Sequence, residues 1–161
     1  EEQDRSLWDQ DMIRTGLHYL RASASGETLS EYHLEAGIAA EHCVASSFEE
    51  TNWQNIYKQY EILVCIKSNP IVELNMAIIS SRIRGIDDSI MRLIKLDQSG
   101  RLQNYYLLAS TLGHFYAKKG DYSKALPYLA RALELTKSPA EINLLKHKQE
   151  ECRHGLDAGL T

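Results

Sequence analysis

Residues 106–139 carry small, aromatic and helix-ending residues at spacings that suit two packed helices joined by a tight turn. These residues are Gly113, Tyr116, Gly120, Asp121, Tyr122, Ala125, Ala132 and Pro139. Gly113 and Ala125 are small, so two helix backbones can approach closely there, and a bulky residue at either position would splay them. Gly120 follows Lys118 and Lys119, and a glycine in the left-handed conformation closes a helix at such a place. The stretch therefore predicts a helical hairpin of about 34 residues.

This pattern resembles the tetratricopeptide repeat, whose helix pairs stack on one another. A degenerate copy is predicted at about 71–97, where Gly85 matches Gly120 but large residues occupy both close-approach points. A helix over 139–154 is interpreted as the cap of the stack. The predicted fold is all-α, a tetratricopeptide-like right-handed stack of antiparallel helix hairpins with about eight helices, in a single domain over 1–161.

Three further helices are predicted ahead of these repeats, each introduced by a hydroxyl side chain that can cap its first turn. Their bounds and caps are about 7–24 with Ser6, about 31–45 with Ser30 and about 52–67 with Thr51. At the other end of the chain, residues 155–161 are expected to fray.

Charge and composition limit the kinds of partner that this segment is expected to bind. The net charge is −4 and the pI is near 5.9, so this segment has no strong electrostatic reason to bind nucleic acid. No apolar stretch approaches the roughly 20 residues that cross a bilayer, so no membrane contact is expected.

Cys43, Cys65 and Cys152 form no CxxC pair and are interpreted as free thiols in a reducing cytoplasm. The chain starts without methionine, and we expect it to be a fragment of a longer protein.

A second resemblance covers nearly the whole chain. It rests on four runs that occur in this order ahead of the repeat: DRSLWD at 4–9, YHLEAGIAA at 32–40, TNW at 51–53 and NPIV at 69–72. Together they resemble the C-terminal extension of one group of bacterial extracytoplasmic-function (ECF) RNA polymerase sigma factors. The resemblance implies a regulatory, protein-interaction domain in transcription initiation. Its implied partners are the protein's own N-terminal sigma domains, RNA polymerase, or both.

The chain departs from that group at two positions. Asn52 stands where those factors usually have an aspartate before the tryptophan. Met76 stands where they usually have an arginine after the Leu74–Asn75 pair. Interactions that rely on those two charges are therefore not carried over to this chain.

Two sets of residues are candidate partner-binding sites. Arg5, Trp8 and Asp9 form the first, because a tryptophan flanked by opposite charges suits an interface anchor for the sigma domains. The alternative is that Trp8 packs into the domain while Arg5 and Asp9 form an i, i+4 surface pair.

The second set is Leu107, Ser110 and His114, at first-helix positions that face the concave side of such stacks. That side usually takes a peptide or a partner helix. The alternative is that another helix of this chain fills the groove.

Enzymatic and metal-binding functions are not expected, and no cofactor is predicted. His147, Glu151, Cys152 and His154 lie within eight residues, but no HExxH motif or paired cysteine ligands accompany them. No glycine-rich phosphate loop is present. A second hypothesis stays open, a generic cytoplasmic tetratricopeptide adaptor that binds a peptide or partner helix. The oligomeric state is not predicted.

Overall fold

A computed structural model describes residues 4–24 and 29–158. Within these residues the chain is all-α, with eight α-helices, a short 3-10 helix at Arg5–Leu7 and no strand. The bounds are α1 Gln10–Ser23, α2 Glu31–Val44, α3 Trp53–Ile66, α4 Pro70–Ile83, α5 Ile86–Gln98, α6 Tyr106–Lys118, α7 Tyr122–Leu135 and α8 Pro139–Ala158. The predicted fold class and helix count are confirmed, whereas the right-handed tetratricopeptide-like stacking stays a prediction.

The contacts divide the chain into two compact units, Glu1–Ile79 and Ser80–Thr161. The division falls inside α4, so residues 70–79 belong to the first unit and 80–83 to the second. That the two units form one domain stays a prediction. In the described ranges, no helix has the length and apolar character that crossing a membrane requires.

The first unit is built around α2 and α3. Its buried cluster contains Leu34 and Ile38 of α2, Ile56 and Leu63 of α3, and Val72 of α4. Helix α1 contacts α2 but contributes no buried residue. The first unit therefore depends on the α2–α3 pair, with α1 packed along its surface.

The start of α1 differs from the prediction. Leu7, expected to begin the first helix, is 82% exposed and lies in the 3-10 turn. Asp9, and not Ser6, caps α1, because its carboxylate accepts hydrogen bonds from the amides of Asp11 at 3.0 Å and Met12 at 2.9 Å. A carboxylate placed here satisfies two first-turn amides at once, so the helix begins after Asp9.

The caps of the next two helices confirm one prediction and correct another. Ser30 precedes α2 as predicted, and its hydroxyl lies 2.8 Å from Nδ1 of His33. Asn52, and not Thr51, caps α3, accepting a hydrogen bond from the Asn55 amide at 3.1 Å. Thr51 is buried and serves a different purpose, described below.

In the second unit, small residues let three helices pack closely. The core cluster contains Ala109 of α6, Ala125, Leu129 and Ala132 of α7, and Leu145 and Cys152 of α8. A methyl group on Gly113 would lie 2.7 Å from Cγ of Leu129 and 3.2 Å from its backbone nitrogen. The predicted close approach at Gly113 is thus confirmed, and its nearest neighbour is Leu129, one helical turn beyond Ala125.

The glycines at the predicted helix ends adopt the left-handed backbone conformation expected of them. Gly120 has φ of +77° and Gly85 has φ of +94°, conformations that side chains rarely adopt. After α6, the Gly120 amide donates to the Ala117 carbonyl at 2.9 Å and the Asp121 amide to the Tyr116 carbonyl at 3.0 Å. This pair of bonds is the Schellman arrangement, which satisfies carbonyls at the helix end and turns the chain into α7.

Helix α8 is longer than predicted. Its expected end at His154 is wrong, because the helix continues through Gly155 to Ala158. Gly155 lies against the Tyr122 ring, where an added methyl group would fall 2.6 Å from Cζ. The part of the predicted frayed end up to Ala158 is therefore helical, with Gly155 packed on α7. The predicted fraying of 159–161 lies outside the described residues.

The Gly113→Ala substitution tests the close approach of α6 and α7. We expect it to lower the free energy of unfolding by about 1–3 kcal/mol, because the new methyl group overlaps Leu129 and the backbone nitrogen behind it cannot move away cheaply. The matched control is Gly16→Ala, since Gly16 has nothing within 4 Å of the added methyl group. There we expect a gain of about 0.5–1 kcal/mol from helix propensity. Urea denaturation followed by circular dichroism measures both, and equal effects would contradict the packing account.

Candidate partner-binding sites

Arg5 joins the N-terminal turn to the connection between α2 and α3. Its guanidinium donates hydrogen bonds to the Ala45 carbonyl at 2.9 Å and to Oγ1 of Thr51 at 3.1 Å. The Thr51 hydroxyl in turn donates to the Ser47 carbonyl at 3.1 Å. The guanidinium carbon also lies 5.3 Å from the centre of the Trp8 ring, within cation–π range. Arg5 is therefore engaged within its own unit.

These contacts contradict one part of the alternative considered for the first candidate set, the Arg5–Asp9 surface pair. Arg5 reaches the α2–α3 connection, and Asp9 caps α1, so the proposed Arg5–Asp9 surface pair is replaced by two separate structural roles. Trp8 is half-buried beneath the Arg5 guanidinium and keeps part of its ring accessible. Docking of sigma domains at Trp8 stays a prediction.

His42 lies close to the same network. Its ring makes an edge-to-face contact with Trp53, with centroids 5.4 Å apart. Burial lowers the pKa of His42 from its ordinary value, the Arg5 charge lowers it further, and Glu41 opposes them. Sequence reasoning missed this link between Arg5 and His42, because 37 positions separate the two residues and no local motif joins them.

The Arg5→Gln substitution tests the electrostatic link. A folded-state pKa below the unfolded value of about 6.5 means that the folded state binds the proton less readily than the unfolded chain does. The stabilising contribution of neutral His42 is therefore present above the unfolded-state pKa and is lost as the pH falls through the folded-state pKa. We expect Arg5→Gln to raise the His42 pKa, since it removes a nearby positive charge.

The measurement is an NMR titration of the His42 ring in wild-type and variant protein. Arg14→Gln is the matched control, because Arg14 is exposed and pairs with Asp11 on α1. An unchanged His42 pKa in the Arg5→Gln variant would refute the link.

The second candidate set lies on α6 of the second unit. Leu107 is 36% exposed, Ser110 is half-buried and His114 is exposed. Of the three, His114 lines a cavity of about 420 Å³ formed by α6, the start of α7, and α8. The lining residues are His114, Ala117, Lys118, Tyr122, Lys148, Glu151 and Cys152.

Lys148 and His114 contact each other at this cavity. The Lys148 ammonium lies 3.1 Å from Nδ1 of His114, and an ammonium can only donate, so Nδ1 accepts and the ring proton is on Nε2. The Lys148 charge is thus directed at a neutral ring and is not cancelled by it. Sequence reasoning missed this contact, because 34 positions separate Lys148 on α8 from His114 on α6 and no local motif joins them.

Cys152 belongs to the apolar floor of the cavity. The residue is 1% exposed, and burial raises the pKa of its thiol, with Glu151 adding to the effect and Lys148 opposing it. A thiol whose pKa is raised is protonated at neutral pH and is a poor nucleophile.

Two of the residues considered as metal ligands, His147 and Glu151, contact each other. Nε2 of His147 lies 3.3 Å from Oε1 of Glu151, one helical turn along α8. In the described parts of the chain, no group of three or more histidine, cysteine, aspartate or glutamate side chains is arranged to hold a metal ion.

Comparison with known proteins adds one relative. No family model matches the chain. An uncharacterized protein of Rhizobium meliloti (strain 1021) is 28% identical to it over 141 residues, which are 88% of this chain and 33% of that protein. The chain therefore spans about a third of the length of the relative it matches.

Proposed function

We propose that this chain is the regulatory, protein-interaction domain of a bacterial ECF-type sigma factor. In this role it acts in transcription initiation by contacting the factor's own sigma domains or RNA polymerase. The observation that carries the proposal is the ordered set of runs at 4–9, 32–40, 51–53 and 69–72, which resembles the C-terminal extension of such factors.

The packing of the first unit supports treating those runs as parts of one folded element. Arg5 from the first run donates to Thr51 of the third. Leu34 and Ile38 from the second run share a buried cluster with Val72 from the fourth, and Trp53 packs against it. The second, third and fourth runs thus contribute to one core, and a hydrogen bond joins the first run to the third.

The relative is long enough to hold the further domains that the proposal requires. About two thirds of the Rhizobium meliloti protein lies outside the match. That length is ample for two helical sigma domains, one of which must read the promoter through a helix-turn-helix. On this proposal, DNA recognition belongs to those domains, and this segment, with its net charge of −4, contributes protein contacts only.

Deleting this segment from the full-length factor tests the proposed role. We expect the deletion to change promoter-dependent transcription, because the segment sets how the sigma domains engage polymerase. The measurement is in vitro transcription of genomic fragments with core polymerase and either the complete or the truncated factor. Tight, sequence-specific gel-shift binding of DNA by the isolated segment would refute the division of labour.

Trp8→Ala tests the docking site. We expect it to weaken binding to the sigma domains, measured by calorimetry with the separately produced N-terminal part. Trp53→Ala is the matched control, since Trp53 packs against the buried cluster and contacts Phe48 and His42. The control is expected to lower the melting temperature more than Trp8→Ala does. A loss of stability in Trp8→Ala without a loss of affinity would make Trp8 a packing residue.

The second candidate function is a cytoplasmic adaptor unrelated to transcription. The observation that favours it is the cavity on α6–α8, because a binding cavity of this kind does not depend on sigma domains. The codons that precede residue 1 in the natural gene separate the two functions. If they encode no helix-turn-helix and no polymerase-binding domain, the sigma-factor proposal fails and the adaptor stands.

A further inference from the structure

Helix α1 packs loosely on α2. It is the one helix in the described ranges that contributes no buried residue. A cavity of about 190 Å³ lies between the two helices, and a methyl group added to Gly16 at this cavity would meet no atom within 4 Å. Side chains that border empty space lose the dispersion contacts of a close-packed interface, so the middle of α1 is weakly held. The cavity is lined by Ile13, Gly16, Leu17 and Leu20 of α1 and by Ala36, Ala39, Ala40 and Cys43 of α2.

Polar contacts hold both ends of α1. Ahead of its first turn, the Arg5 guanidinium donates to a carbonyl and a hydroxyl oxygen of the α2–α3 connection, at 2.9 Å and 3.1 Å. At its last turn, the Ser23 carbonyl lies 3.2 Å from Nε2 of His33 on α2. The Ser30 amide can only donate, and it lies 3.2 Å from Nδ1 of the same ring. Nδ1 therefore accepts, and Nε2 carries the proton that bonds to Ser23.

We propose that residues 5–23 form a releasable strap, which leaves the surface of α2 while α2 and α3 stay folded. Arg5 and His33 hold the strap closed. Local opening of this kind occurs where few apolar groups are buried. The 14-residue α1 is marginal as an isolated helix in water, so it unfolds as it leaves. The α2–α3 pair keeps its own buried cluster, which includes Leu34, Ile56 and Leu63.

Opening of the strap changes which surfaces a partner can reach. It uncovers the small-residue face of α2 and the Cys43 thiol, which border the cavity under α1. Trp8 lies within the strap, and its ring centre is 5.3 Å from the guanidinium carbon of Arg5. A protein that engages Trp8 therefore acts on the contact that keeps the strap closed. This regulatory device goes beyond the proposed function, because it does not depend on which protein the domain binds.

Hydrogen exchange of the backbone amides, followed by NMR on the 161-residue chain, tests the proposal. We expect the amides of α1 to be at least about tenfold less protected than those at the centre of α3, because they exchange through opening of the strap alone. Arg5→Gln should raise exchange in α1 about tenfold or more, as the loss of hydrogen bonds from a charged donor does. Exchange at the centre of α3 should stay unchanged.

Two further variants serve as references. Arg14→Gln removes a charge from an exposed position on α1 and should change exchange in α1 little, since surface ion pairs contribute little. Gly16→Ala adds a methyl group that meets no neighbour. Its higher helix propensity should lower exchange in α1 about threefold. Equal protection of α1 and α3, or equal effects of Arg5→Gln and Arg14→Gln, would overturn the proposal.

The three cysteines provide a second measurement. Cys65 is exposed on α3, Cys43 is half-buried and lines the cavity under α1, and Cys152 is 1% exposed in the second unit. With a thiol-alkylating reagent and mass spectrometry, we expect labelling to be fastest at Cys65 and slowest at Cys152. The Cys43 rate should rise in Arg5→Gln and fall in Gly16→Ala, in parallel with exchange in α1.

A Cys43 rate that is the same in the wild-type protein and in both variants would show that α1 does not open over this thiol, and would overturn the proposal. Both measurements use this segment without sigma domains or polymerase. Their failure would therefore leave the sigma-factor proposal intact. Failure of the deletion experiment on transcription would, in the same way, leave the strap intact.

Discussion

The contact between α6 and α7 is the constraint on which the second unit depends. Helices pack about 8–10 Å apart when their side chains are of ordinary size, and approach more closely only where those side chains are small. Gly113 against Leu129 is such a place, and the fully buried Ala109, Ala125 and Ala132 extend the close packing. Because the alanines leave room, α8 can place Leu145 and Cys152 in the same cluster. The cavity lined by His114 and Lys148 exists because α6 and α8 both pack against α7.

The first unit is held by different means. Its helices do not share a core of alanines, and α1 contributes no buried residue. The Arg5 guanidinium partly makes up for this lack of buried contacts. It donates hydrogen bonds to the Ala45 carbonyl and the Thr51 hydroxyl in the α2–α3 connection, and it lies over Trp8. A hydrogen bond from a charged donor contributes more than a neutral one, and truncating it would leave a buried hydroxyl and a carbonyl with one partner fewer. The N-terminal turn is therefore part of the folded unit.

The two units also differ in what they offer a partner. In the first, the residues of the runs at 4–9, 32–40, 51–53 and 69–72 are used mainly in caps and core contacts, and part of the Trp8 ring remains accessible. In the second, His114, Lys118 and Lys148 line a cavity formed by α6, the start of α7, and α8.

Sequence by itself determined the helices and several of their ends. Gly120 and Gly85 need a backbone conformation that other residues avoid, so their positions alone marked two stops, and Gly113 alone marked a close approach. Two caps were misassigned, because Ser6 and Asp9, or Thr51 and Asn52, are equally good caps until tertiary contacts choose between them. Three contacts were decided only by the tertiary structure. Arg5 donates a hydrogen bond to Thr51, Gly155 packs on Tyr122 within a longer α8, and Lys148 contacts His114. Each of these depends on residues distant in sequence, and helical periodicity specifies which face of a helix is apolar but not which neighbour that face will meet.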